Sequence, residues 1–136
     1  MVQRGAIHHL ELWVDDLDET GRSLGWLLDE LGYRLYQDWP AGHSWRLGAT
    51  YVVAERSPDL AGGGHDRRRP GLNHMAFHAG TRTEVDHLVR AGAAHGWQLM
   101  FTDRHPYAGG PDHYAAYLQD AAGFEVELVA TEGDVR

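Results

Sequence analysis

The chain spells out one pattern twice. Ile7-His8-His9-Leu10-Glu11-Leu12-Trp13-Val14 and Leu72-Asn73-His74-Met75-Ala76-Phe77-His78-Ala79 each place a histidine ahead of apolar residues at every second position. These are Leu10, Leu12 and Val14 in the first copy and Met75, Phe77 and Ala79 in the second. A period of two marks a strand with one buried face. His9 and His74 then fall on the other face, with Glu11 and Trp13 in one copy and Ala76 and His78 in the other. A repeat of this kind outweighs composition as a constraint, because whatever unit it encodes must be built twice.

Each strand leads into a helix. Asp16 with Glu19, and Thr81 with Glu84, have the spacing of an N-cap whose N3 carboxylate returns to the backbone. Leu24, Leu27, Leu28 and Leu31, and likewise Val85, Leu88, Val89 and Gly92, recur at helical spacing. Gly32 and Gly96 are placed to end the helices in the left-handed conformation, and Tyr33 and Trp97 open the strands Tyr33–Tyr36 and Trp97–Phe101. The register is nearly constant: His74 lies 65 positions after His9, and Gly96 lies 64 after Gly32. Further on, His43-Ser44-Trp45-Arg46-Leu47 matches His113-Tyr114-Ala115-Ala116-Tyr117 at an offset of 70. The closing strand Phe124–Val129 matches Thr50–Glu55, which sets Glu127 against Glu55 at an offset of 72.

Each copy therefore reads β-α-β-β-β, in an α+β fold of two βαβββ modules. Module one spans about 5–57, a loop 58–71 and module two 72–131, within one domain of 136 residues. A small sheet with a helix on one face leaves its other face to be covered. The economical arrangement pairs two curved mixed sheets around a shared cleft. Parity sends Val126 and Leu128 of the last strand toward the helix and Glu125, Glu127 and Val129 toward the cleft, where His9 and His74 also point.

Composition narrows the function. A hydrophobic content of 43% and a charged content of 24% suit a soluble globular chain, and no apolar run is long enough for a membrane span. The start has no signal-peptide layout, so a cytoplasmic protein is expected. A net charge of −8 argues against nucleic acid as a partner. The one basic run, Arg67-Arg68-Arg69, lies in a stretch rich in glycine and proline. It reads as a solvated loop, the alternative being a lid over an anionic substrate. Cysteine is absent, which excludes thiolate ligands, while ten histidines are many for this length.

His9-Leu10-Glu11-Leu12-Trp13-Val14-Asp15-Asp16-Leu17 resembles the opening strand of the vicinal oxygen chelate superfamily, which includes glyoxalases, bleomycin-resistance proteins and extradiol dioxygenases. Leu72-Asn73-His74-Met75-Ala76-Phe77 resembles its second-module strand. Asp120-Ala121-Ala122-Gly123-Phe124-Glu125-Val126-Glu127-Leu128 resembles its closing turn and strand, with Ala121 where proline is usual. The resemblance implies metal ligands at His9, His74 and Glu127, with Glu55 as a fourth candidate, or Val53 at that position and three protein ligands.

Two imidazoles and a carboxylate from separate strands suit a divalent first-row metal: iron, manganese, nickel, cobalt or zinc. The implied chemistry is chelation of a small-molecule substrate through neighbouring oxygens, in a lyase, isomerase or oxygenase reaction. Glu55, or else Glu11, is the candidate base beside Glu127. His8 is turned away by parity. Glu11, Trp13, Tyr51 and His78 share parity with the ligands and are candidate substrate contacts. So are His105, Tyr107, His113 and Tyr114 in the loop entering a late strand. Trp39, Trp45 and Trp97 are further candidates for an aromatic wall. Such walls also suit the alternative, a metal-free protein that sequesters an antibiotic. A homodimer is expected from the resemblance.

Overall fold

The computed structural model describes residues 2–131 and forms two compact units, Met1–Gly64 and His65–Arg136. Each contains a four-stranded mixed sheet with helix packed on it. This is the doubled βαβββ architecture that the repeat predicts.

In the first unit, β1 (His9–Trp13) is followed by α1 (Leu17–Thr20), a π-helical stretch Gly21–Gly25 and α2 (Trp26–Glu30). The strands β2 (Arg34–Trp39), β3 (Gly42–Leu47) and β4 (Thr50–Glu55) complete it, in the order β1-β4-β3-β2. The helical rod is anchored as its sequence requires. Asp16 Oδ1 accepts from the Glu19 N–H, and Leu24, Leu27 and Leu28 are buried. The expected helix was uniform, whereas the observed one widens over Gly21–Gly25. Gly25 lies under the buried Trp45 indole, and a Cβ there would come within 3.2 Å of Trp45 Cζ2. Trp45 is thus core, not cleft wall.

In the second unit, β5 (Met75–His78) leads into α3 (Arg82–Gly92) and a short 3-10 turn, Ala93–His95. Then follow β6 (Gln98–Leu99), β7 (Ala115–Gln119) and β8 (Glu125–Val129), in the order β5-β8-β7-β6. Thr81 and Glu84 form a complete capping box. Val85, Leu88 and Gly92 of α3 are buried, as is Trp97, which belongs to the core. Both helices end alike. Gly32 (φ 96°) and Gly96 (φ 85°) are left-handed. The following aromatic N–H reaches back five residues, from Tyr33 to the Leu28 carbonyl (2.9 Å) and from Trp97 to that of Gly92 (3.0 Å).

The late strands differ from expectation. β6 stops at Leu99, and Phe101 takes a positive φ of 54°, which no strand accommodates. His113 and Tyr114 precede β7 instead of lying within it. The ladders also revise the match between copies. Leu10 pairs with Val52, and Met75, its counterpart, pairs with Val126. Glu11 pairs with Val53 and Ala76 with Glu127. The counterpart of Glu127 is therefore Val53, at an offset of 74, and not Glu55. Likewise Ser44, opposite Val53, answers to Tyr117, opposite Glu127, so His43 does not correspond to His113.

Candidate functional site

Glu127 lies in β8, an interior strand of its sheet, and is buried although it carries a carboxylate. Burial of such a group is costly unless its oxygens are occupied. They are. His74 Nε2 lies 3.1 Å from Oε1, and His113 Nε2 makes a close contact with Oε2. Tyr117, directly opposite on β7, hydrogen-bonds to the same carboxylate. Its hydroxyl is pushed above the ordinary tyrosine range by burial first, then by the charges of Glu127 and Glu125. The Tyr117 ring also meets His74 edge-on.

Asn73 determines what His74 can offer. The Asn73 Nδ2 donates to the Arg67 carbonyl (3.0 Å), so its Oδ1 is an acceptor, and it lies 2.7 Å from His74 Nδ1. Nδ1 must then carry a proton. A neutral imidazole has only one, which leaves a lone pair on Nε2 facing a carboxylate oxygen. Two acceptors face to face call for a cation between them, either a proton or a metal ion. A histidine whose second nitrogen donates outward is the usual state of a metal ligand. The donors also fit by distance: 3.1 Å is the separation of neighbouring ligands on one ion with bonds of about 2.1 Å. Among the described residues, no three His, Cys, Asp or Glu side chains already converge as a metal cage.

Beside this pair, Glu125 is also buried, with Arg67 Nη1 3.2 Å from its Oε1. That oxygen meets no directed hydrogen bond among the described residues, so the contact is ionic in character. Next to it the His65 ring stacks on Phe124, 4.3 Å between centroids, with a buried Nε2 that has no hydrogen-bond partner among the described residues. The basic run is thus divided. Arg68 and Arg69 are exposed beside Asp66, whose carboxyl is held low mainly by the Arg68 backbone N–H. Arg67 turns inward onto β8.

In the first unit, His9 is exposed at the head of β1 and stacks nearly parallel on Tyr51, with centroids 4.8 Å apart. Tyr51 continues to Tyr36, over which Arg46 lies. His8 Nδ1 approaches His9 Nδ1 at 2.9 Å, so His8 is a neighbour of His9 despite its parity. Trp13 is exposed and donates from Nε1 to Glu11 Oε2 (2.7 Å). Glu55 is half-buried at the end of β4, opposite Trp13. Val53, buried one turn of the pleat earlier, holds the position equivalent to Glu127.

The remaining candidates scatter. His78 is exposed at the end of β5. Tyr114 lies against α3, donating to Asp86 Oδ1 (2.6 Å) beneath Arg82. Burial and that hydrogen bond push its pKa up to about 12. Tyr107 packs edge-on against Tyr114, and His105 is half-buried in the same loop. The structure brings His74, His113 and Glu127 together and leaves His105, Tyr107 and Tyr114 elsewhere. Trp39 is half-buried beside Gly42, whose Cβ would meet its ring. Sequence reasoning missed Asn73 and Tyr117. Tyr117 had a signal, since it alternates with Ala116 and Leu118 and so shares a face with Glu127.

A family model for the Glyoxalase/Bleomycin resistance protein/Dioxygenase superfamily matches residues 8–117. The chain belongs to this superfamily. The vicinal oxygen chelate resemblance seen in its motifs is therefore correct. Over 126 residues the chain is 44% identical to the uncharacterized protein YqjT of Bacillus subtilis (strain 168), covering 91% of this chain and 98% of that one. The crystal structure of a candidate glyoxalase from Bacillus halodurans superposes with a TM-score of 0.89 at 43% identity, covering 94% and 97% of the two chains. A glyoxalase/bleomycin resistance protein from Albidiferax ferrireducens T118 shares the fold at a TM-score of 0.72 and 21% identity, with 92% and 98% covered.

Proposed function

We propose that this superfamily member is a metal-dependent enzyme in which His74 and Glu127 contribute ligands to a divalent first-row metal. The observation that carries this reading is His74 Nε2 lying 3.1 Å from Glu127 Oε1, with Nδ1 of the same ring 2.7 Å from Asn73 Oδ1. A bound metal would act as a Lewis acid toward a substrate presenting two neighbouring oxygens. The chain's own residues do the rest. Asn73 orients His74, and burial of Glu127 among imidazoles and a phenol excludes water from that side. Two protein donors, His74 and Glu127, leave positions free for substrate. A cytoplasmic homodimer is part of this proposal.

Metal analysis tests it directly. The purified chain, reconstituted in turn with iron(II), manganese, cobalt, nickel and zinc, is expected to retain one ion per chain. His74→Ala should abolish that retention. Failure to take up any of the five ions would overturn the reading.

One observation favours a second reading. The stack His9–Tyr51–Tyr36, with Arg46 above it, suits a planar ligand without any metal. In that case the chain sequesters an aromatic antibiotic. Tyr51→Ala would then lower drug affinity in metal-free protein, while His74→Ala would not.

A further inference from the structure

The geometry points to His113 as a positioning residue for Glu127, kept in place by the absence of a side chain at Gly109; this rests on Glu127 being a metal ligand. His113 lies outside the strand positions that the family motifs pick out. It ends the loop before β7, where the Gly110 N–H bonds to the Tyr107 carbonyl (3.1 Å) and the His113 N–H to that of Gly110 (3.2 Å). The Ala115 N–H then bonds to the Pro106 carbonyl (3.0 Å), closing the loop onto the strand. The loop delivers the imidazole Nε2 to Glu127 Oε2.

A glutamate side chain can present either oxygen, in several rotamers. With Oε2 taken by His113, Oε1 is the oxygen left toward His74. His113 therefore selects which oxygen of Glu127 is shared with His74, and at what angle. Gly109 makes this fit available. A Cβ at that position would lie 2.6 Å from Tyr117 Oη and 2.7 Å from His113 Cδ2, closer than real contacts allow. Both threatened atoms belong to partners of Glu127. Gly109 does not have a positive φ, so alanine is acceptable to the backbone there. A methyl group at Gly109 is thus a wedge aimed at the two side chains that fix the carboxylate.

The test uses the full chain and three variants, Gly109→Ala, His113→Ala and His113→Gln. Three measurements are made on each: cobalt(II) affinity with its visible spectrum, the ring 15N signals of His74 in metal-free protein, and thermal unfolding. Gly109→Ala and His113→Ala should weaken cobalt binding by about tenfold to a hundredfold, alter the cobalt spectrum and shift the His74 ring signals. His113→Gln, whose amide can still donate to Oε2, should restore much of both. Wild-type cobalt affinity and unmoved His74 signals in Gly109→Ala and His113→Ala would overturn the inference. So would a fall in melting temperature with those two readouts unchanged. If wild-type protein takes no cobalt but the His74 signals still move, the metal reading fails and the positioning role stands.

Discussion

The Arg67 guanidinium lies 3.2 Å from Glu125, a carboxylate only 3% exposed, and so neutralises a charge buried within the sheet. Arg67 comes from the Gly- and Pro-rich segment before β5, and its carbonyl also accepts from Asn73. One residue therefore both compensates a buried acid and braces the side chain that orients His74.

Removing one partner of a buried ion pair strands the other, a loss of about 3 kcal/mol at the lower end of the usual range. Arg67→Ala is placed at that lower end because its side chain is 24% exposed. Urea unfolding should show the loss. Replacing both residues, Arg67→Met with Glu125→Leu, should recover most of it. A single variant as stable as wild type would show that water already serves Glu125.

On the proposed metal-binding reading, Asn73 should matter to metal affinity more than to the fold. Asn73→Ala frees the His74 ring and its tautomer, and metal affinity is expected to fall by about tenfold to a hundredfold. Asn73→Asp keeps an acceptor for His74 Nδ1 and should hold affinity near wild type. Calorimetric titration with zinc or cobalt distinguishes the two. Equal losses in both variants would mean that the contact with the Arg67 carbonyl, not the tautomer, is what counts.

Tyr114 should be the last tyrosine to ionise. Its pKa of about 12 lies above the ordinary value of 10.0, so the folded state holds its proton more tightly than the unfolded state. That contribution to stability is fully present below pH 10 and lost as pH rises through 12. An alkaline titration followed by tyrosinate absorbance should show one late step that disappears in Tyr114→Phe. If the late step persists, it belongs to Tyr117 or Tyr33, both also raised by burial.

Gly42→Ala is expected to destabilise the first unit. A Cβ there would sit 2.5 Å from Trp39 Cζ2 and 2.7 Å from the Ala54 carbonyl oxygen. The latter is backbone within a ladder and cannot step aside, so overpacking of about 1–3 kcal/mol is expected. Thermal unfolding measures it, and an unchanged midpoint would mean that the β3–β4 ladder yields more readily than its pairing suggests.

The fold was legible because its signals are local and doubled. Alternation in β1 and β5, the Thr81 capping box and the paired glycines after each helix depend on near neighbours only. The register between distant strands did not share that advantage. Matching Glu127 to Glu55 relied on counting through turns of unequal length, whereas the ladder assigns Val53. His74 and Glu127 were legible from parity. The roles of Asn73, His113 and Tyr117 were not, because each comes from a contact across the sheet or from a loop whose course no periodicity records. Tyr114, next to His113 in sequence, ended against α3 because successive residues entering a strand point to opposite faces.

The strand order β5-β8-β7-β6 puts the last strand of the unit between two others, as β1-β4-β3-β2 does in the first. A chain emerging from the ribosome must therefore hold β5 and β7 apart, or unpaired, until the final segment arrives to join them. His74 and Glu127 are 53 residues apart and meet only at that moment. The closing of the sheet and the completion of the site are one event, and any truncation that removes β8 forfeits both.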